Sequence, residues 1–86
     1  MKTLVLRGKR FWLGEVRQGD EMGGCEAPWM PEREIDIPVG GKTCDELDTI
    51  IHECLHGCFW DMDEDAVSES ATSIARVLWR LGWRKT

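Results

Sequence analysis

The chain has no tyrosine, two histidines, three prolines and two phenylalanines in 86 residues. Without tyrosine, no phenol can act as a general acid or stabilise an oxyanion. With two histidines, a three-histidine metal site is excluded. Long apolar runs are missing too. Leu4-Val5-Leu6 is too short for the apolar core of a secretory signal, and no segment approaches the ~20 residues that cross a bilayer. A cytoplasmic protein with no membrane partner is the expectation. The four cysteines, Cys25, Cys44, Cys54 and Cys58, contain no Cys-x-x-Cys pair, so a zinc ribbon is excluded. In the cytoplasm they are expected as thiols rather than as a disulfide framework. Positive charge is also scarce, with a net charge of −5. Nine of the eleven bases sit toward the two ends: Lys2, Arg7, Lys9, Arg10 and Arg17, then Arg76, Arg80, Arg84 and Lys85. Nearly all carboxylates lie between Asp20 and Glu69. An acidic middle opposes a phosphate backbone, so nucleic acid is not an expected partner.

What is present reads as one domain over 1–86. A chain this short buries only about 60–65% of its unfolded surface, and a bound metal would help it fold. Leu4 and Leu6 alternate with Val5, and Phe11 and Leu13 with Trp12. These are two short strands around a bend at Gly8-Lys9. Residues 17–32 read as loop, with Gly and Pro and few periodic apolars. Ile35 and Ile37 alternate with Glu34 and Asp36 until Pro38. This third strand, polar on one face and stopped by proline, is expected at a sheet edge. Thr43 and Glu46 form a capping box that starts a helix. Leu47, Ile50, Ile51, Cys54, Leu55 and Cys58 give it an apolar face ending near Phe59. A second helix follows Asp63-Glu64-Asp65, with Val67, Ala71, Ile74, Leu78 and Leu81 as its buried stripe and Gly82 past its end. The order β-β-β-α-α makes the fold class α+β.

Both histidines lie in His52-Glu53-Cys54-Leu55-His56. Four residues apart on a helix, they point the same way and can present two nitrogens to one ion. Glu53 stands where an HExxH helix carries the carboxylate that takes a proton from metal-coordinated water. On a helical wheel the histidines fall about 100–140° from Ile51, at the rim of the buried face. Cys54 and Cys58 point about 160° away, so they fit small core residues better than ligands of a closed site. An open catalytic zinc needs a third protein ligand, and with no third histidine it must be a carboxylate. Glu69 and Glu64 both come within range of a helical hairpin. On the wheel Glu69 lies on the solvated side, and Glu64 is nearer the stripe but in the first turn. The residues alone leave the two open.

With "LDTIIHECLHG" and "EDAVSESATSIARVLWRLGW" in view, the chain resembles the small zincin-type metallopeptidases that phages and prophages encode. More distantly it resembles compact gluzincin and ImmA-type peptidase cores. The likeness covers most of the chain, including "GGCEAPWMPEREIDIP". It implies a small three-stranded antiparallel sheet packed on the HExxH helix, and a second helix that donates a glutamate. It implies Zn2+ held by His52, His56 and Glu69, with Glu53 as the general base. Ser73 stands where gluzincins often carry an acidic residue. It also implies a peptide or protein substrate, laid as an added strand along Glu34, Ile35, Asp36 and Ile37. Arg33 and Arg10 are the available cations for a tetrahedral intermediate. Such a protein would work in the host cytoplasm if phage-encoded. The alternative is a zinc-stabilised phage adaptor that binds a protein without cutting it.

Overall fold

The computed structural model describes residues 2–16, 24–38 and 42–84. The expected loop over 17–23, and the terminal base Lys85, lie outside them. The chain is α+β. Four strands, β1 (Thr3–Leu6), β2 (Lys9–Val16), β3 (Gly24–Cys25) and β4 (Glu34–Pro38), precede two helices, α1 (Cys44–Cys58) and α2 (Glu64–Arg80).

The hairpin forms, one residue earlier than expected. Leu6 pairs with Lys9, which leaves Arg7 and Gly8 as the two-residue turn. Both have positive φ, 49° and 79°, as a turn matched to strand twist requires. Phe11 and Ile35 point inward and are fully buried, while Val5 and Trp12 face water. Alternation holds along β1, where Leu4 and Leu6 are more sheltered than Thr3 and Val5.

The sheet corrects the expectation of three antiparallel strands. It has four, in the order β1-β2-β4-β3, and β2 runs parallel to β4. The strand that escaped notice, β3, has two residues in a glycine-containing stretch and carries no periodicity. It pairs antiparallel with β4, Gly24 with Asp36 and Cys25 with Ile35. Glu26 N–H extends the pairing to the Glu34 carbonyl at 3.0 Å. β4 is therefore an inner strand along Glu34–Asp36, not an edge. The main-chain groups assigned there to an added peptide already bond β2 and β3. Gly14 lets β2 and β4 close up, because a Cβ there would collide with the Asp36 carboxylate.

The capping box starts α1 as predicted. Thr43 Oγ1 accepts from Glu46 N–H at 3.1 Å, and Glu46 Oε1 accepts from Lys42 N–H at 3.3 Å. Arg7 donates to the Cys58 carbonyl at 3.1 Å, placing a cation at the negative end of α1. α1 lies on the sheet. Its buried Gly57 faces Phe11, Cys25 and Leu6, and a Cβ there would strike Leu6.

α2 starts at Asp63, whose carboxylate accepts from Ala66 N–H at 3.3 Å. It ends in a Schellman motif: Gly82 at φ 92°, Trp83 N–H to the Leu78 carbonyl and Gly82 N–H to that of Trp79. α2 packs on α1 and, among the described residues, on no strand. Its buried residues are Val67, Ala71 and Ala75, a correction to the expected stripe. Ile74 is 42% exposed and Leu81 70%. The length of α1 explains this. Thr72 donates to Asp48 at 2.7 Å, so the helices run antiparallel with those two residues opposite. Four more residues bring α2 level with Cys44, the first residue of α1. Val77 and Leu81 lie beyond it, where no described element packs on them; Ile74 is level with α1 but at the side of the face turned to it.

Candidate metal centre

Three side chains converge at the turn between the helices. His52 Nε2 lies 3.1 Å from Glu64 Oε1, and His56 Nε2 lies 3.0 Å from Glu64 Oε2. The two Nε2 atoms are 3.1 Å apart. α1 supplies both imidazoles from one face, a turn apart. The hairpin supplies Glu64, because the first residue of α2 falls opposite the last turn of α1. The imidazoles are about one-fifth exposed and Glu64 is 64% exposed, so one side of the cluster opens to solvent.

With Glu64 ionised, hydrogen bonding alone does not satisfy this arrangement. Each Nε2 carries either one proton or one lone pair. If both carry protons to donate to Glu64, two N–H groups face each other at 3.1 Å. If one loses its proton to accept from the other, its contact with Glu64 sets two acceptors together. A single cation among the three atoms resolves all the contacts at once. Ligands about 2.0 Å from a tetrahedral ion sit about 3.3 Å from one another, close to the spacings here. The donor set, two imidazoles and a carboxylate, suits zinc with a position left for water. His52, His56 and Glu64 are the one group of this kind among the described residues.

Of the two candidate third ligands, the structure brings Glu64 to the histidines. Glu69 is exposed and is not in the group. On α2 it lies about 140° around the helix from Glu64. The face turned to α1 reads Glu64, Ser68, Thr72, which leaves Glu69 outward. No cysteine joins the group, so no closed site forms from the described residues.

Glu53 is half-buried beside the cluster. Burial pushes its carboxyl above the usual range; His52 and His56 pull it down, and Glu64 and Asp36 push it up again. Arg33 is used elsewhere. It donates to the carbonyls of Pro28 and Met30 at 3.0 and 3.2 Å and lies over the Phe11 ring. Arg10 is exposed on β2 opposite Val5.

The sequence reading passed over an aromatic wall. The Trp60 ring lies 6.1 Å from that of His56, and Trp29 meets Trp60 edge-on at 5.7 Å. Trp60 follows His56 by four residues, so the i, i+4 step that pairs the histidines was the available signal. Trp29, Trp60, Phe59, Pro28, Leu6 and Met62 line a groove of about 650 Å³. None of the three metal-facing residues lines it; Trp60 stands between them.

Cys25 and Cys54 lie behind the site as core thiols. Burial pushes Cys25 up to about 12, with Glu53 and the neighbouring Cys54 adding to the effect. The thiolate is the reactive form, so at pH 8 Cys25 should be alkylated at least ~100-fold more slowly in the folded protein than in denaturant. Mass mapping of the peptide between Arg17 and Arg33 reads this directly; equal rates would mean the thiol is not buried. No family model, curated protein or solved structure matches the chain.

Proposed function

We propose that the chain is a zinc-dependent hydrolase that cleaves peptide bonds, with His52, His56 and Glu64 as ligands and Glu53 as general base. The convergence of three ligand atoms within 3.0–3.1 Å, open on one side, carries this reading. A zinc ion there would acidify a coordinated water to a pKa of ~7 and polarise a carbonyl. His52 and His56 hold the site's geometry from consecutive turns of one helix. Glu64 balances charge and anchors the second helix to the first. Glu53, next to the first ligand, takes the proton of the attacking water and returns it to the leaving amine. Its half-buried setting raises its proton affinity, the direction that helps a carboxylate act in this shuttle.

Glu53→Gln separates catalysis from binding. It should keep fold and metal while cleavage of a peptide library falls by at least ~100-fold. Native protein should carry about one zinc per chain by elemental analysis. Iron in its place would point to another chemistry, since two histidines and a carboxylate also suit oxygen-activating iron. Cleavage unchanged by Glu53→Gln would remove the proposed role of that residue.

A second reading, a zinc-stabilised module that binds protein without cutting it, is favoured by the covering of β4. A peptide cannot add along Glu34–Asp36 while β3 occupies that side. If the wild type cuts no peptide yet loses its fold on zinc removal, this second reading stands.

A further inference from the structure

We propose that α2 pairs, antiparallel, with α2 of a second copy of this chain to form a two-fold dimer. The outer surface of α2 carries the observations. Among the described residues, α1 is the one element that packs on α2. Ile74, Val77 and Leu81 are 42%, 58% and 70% exposed. On the wheel they fall within about 60° of one another, in line with the small Ser70. Farther round the helix, about 90–150° from the centre of this stripe, stand exposed charges: Asp65 and Glu69 in the first half, Arg76 and Arg80 in the second, with Glu69 and Arg80 nearest the stripe. Among the described residues none of these four makes an ion pair. Like charges recur at four-residue steps within each half, Asp65 with Glu69 and Arg76 with Arg80, which costs helix stability. The helix dipole accounts for the sign at each end. It does not account for three large apolar side chains standing in water beside them.

An antiparallel copy answers both features. With the two-fold axis level with Ala75, Val77 meets Ile74 of the second copy and Leu81 meets Ser70. Arg80 then meets Glu69 of the second copy, and the symmetry makes that pair twice. Ser70 and Ala66 leave room for close approach of the helices. Glu69 of each copy flanks the interface beside Arg80 of the other, so the surface is complementary to itself, as a two-fold interface must be. The proposal is independent of the metal centre, whose one residue on α2, Glu64, lies on the face turned to α1.

Sedimentation equilibrium on the full chain with zinc present tests it. The wild type should show a reversible monomer–dimer equilibrium. Glu69→Arg and Arg80→Glu should each weaken the dimer by at least about tenfold, and the two together should restore it to within about threefold. Val77→Ser should weaken it with an unchanged circular dichroism spectrum, which separates loss of the interface from loss of fold. A wild type that stays monomeric up to about 1 mM overturns the proposal. So does a dimer indifferent to these changes, or a monomer whose α2 stripe instead binds anionic vesicles.

Discussion

Glu64→Ala is expected to weaken zinc binding by more than about a hundredfold, while Glu69→Ala leaves it within about twofold. Glu64 is the carboxylate within 3.0–3.1 Å of both imidazoles. Loss of outer-shell partners alone costs 10–100-fold at metal sites, so loss of a direct ligand should exceed that. Glu69 is exposed and faces away. The same substitution should appear in stability. Zinc at about 100 times its dissociation constant stabilises the folded state by ~2.7 kcal/mol. In a domain of this size that is about 10–20 °C in melting temperature. Glu64→Ala should erase most of the difference between melts with and without zinc, and Glu69→Ala should keep it. Titration calorimetry and paired melts measure both effects. The reverse pattern, with Glu69→Ala losing the metal, would return the third ligand to the residue that the family resemblance implied.

Phe11→Ala should be the most destabilising single truncation, at about 3–5 kcal/mol. Phe11 is fully buried on β2. Its ring reaches to 3.5 Å from where a Cβ of Gly57 would sit, so it meets α1 one residue after the second ligand. The Arg33 guanidinium lies over the ring at 5.6 Å from its centroid. Total stability for 86 residues is of the order of 4–13 kcal/mol. The metal-free variant should then be substantially unfolded, and saturating zinc should recover part of the loss by mass action. Val5→Ala on the same hairpin, exposed at 61%, should cost less than about 0.5 kcal/mol. Urea titrations with and without chelator read both. Comparable losses for the two variants would mean that the sheet does not bury its Phe11 face against α1.

Much of the fold was legible because short-range physics decides it. The alternation of Leu4, Val5 and Leu6 encodes which face of β1 turns inward. Thr43 and Glu46 satisfy helix amides from within four residues of chain. Asp63 and Gly82 mark the ends of α2 in the same local way. The His52–His56 step needs nothing beyond the pitch of a helix. The parallel pairing of β2 with β4 was not legible. Nothing in either strand distinguishes a parallel neighbour from an antiparallel one, and the two residues of β3 are too few to show a period.

By itself, then, the sequence determined every element except β3, the helix caps and the pair of imidazoles, since each rests on contacts close in the chain. The tertiary structure decided which carboxylate meets them. Glu64 and Glu69 sit on one helix, and only the rotation of α2 against α1 tells them apart. That rotation follows from Val67, Ala71 and Ala75 seeking the α1 surface. It also decided that Ile74, Val77 and Leu81 stay in water: Ile74 sits at the side of the face turned to α1, and Val77 and Leu81 lie past the first residue of α1.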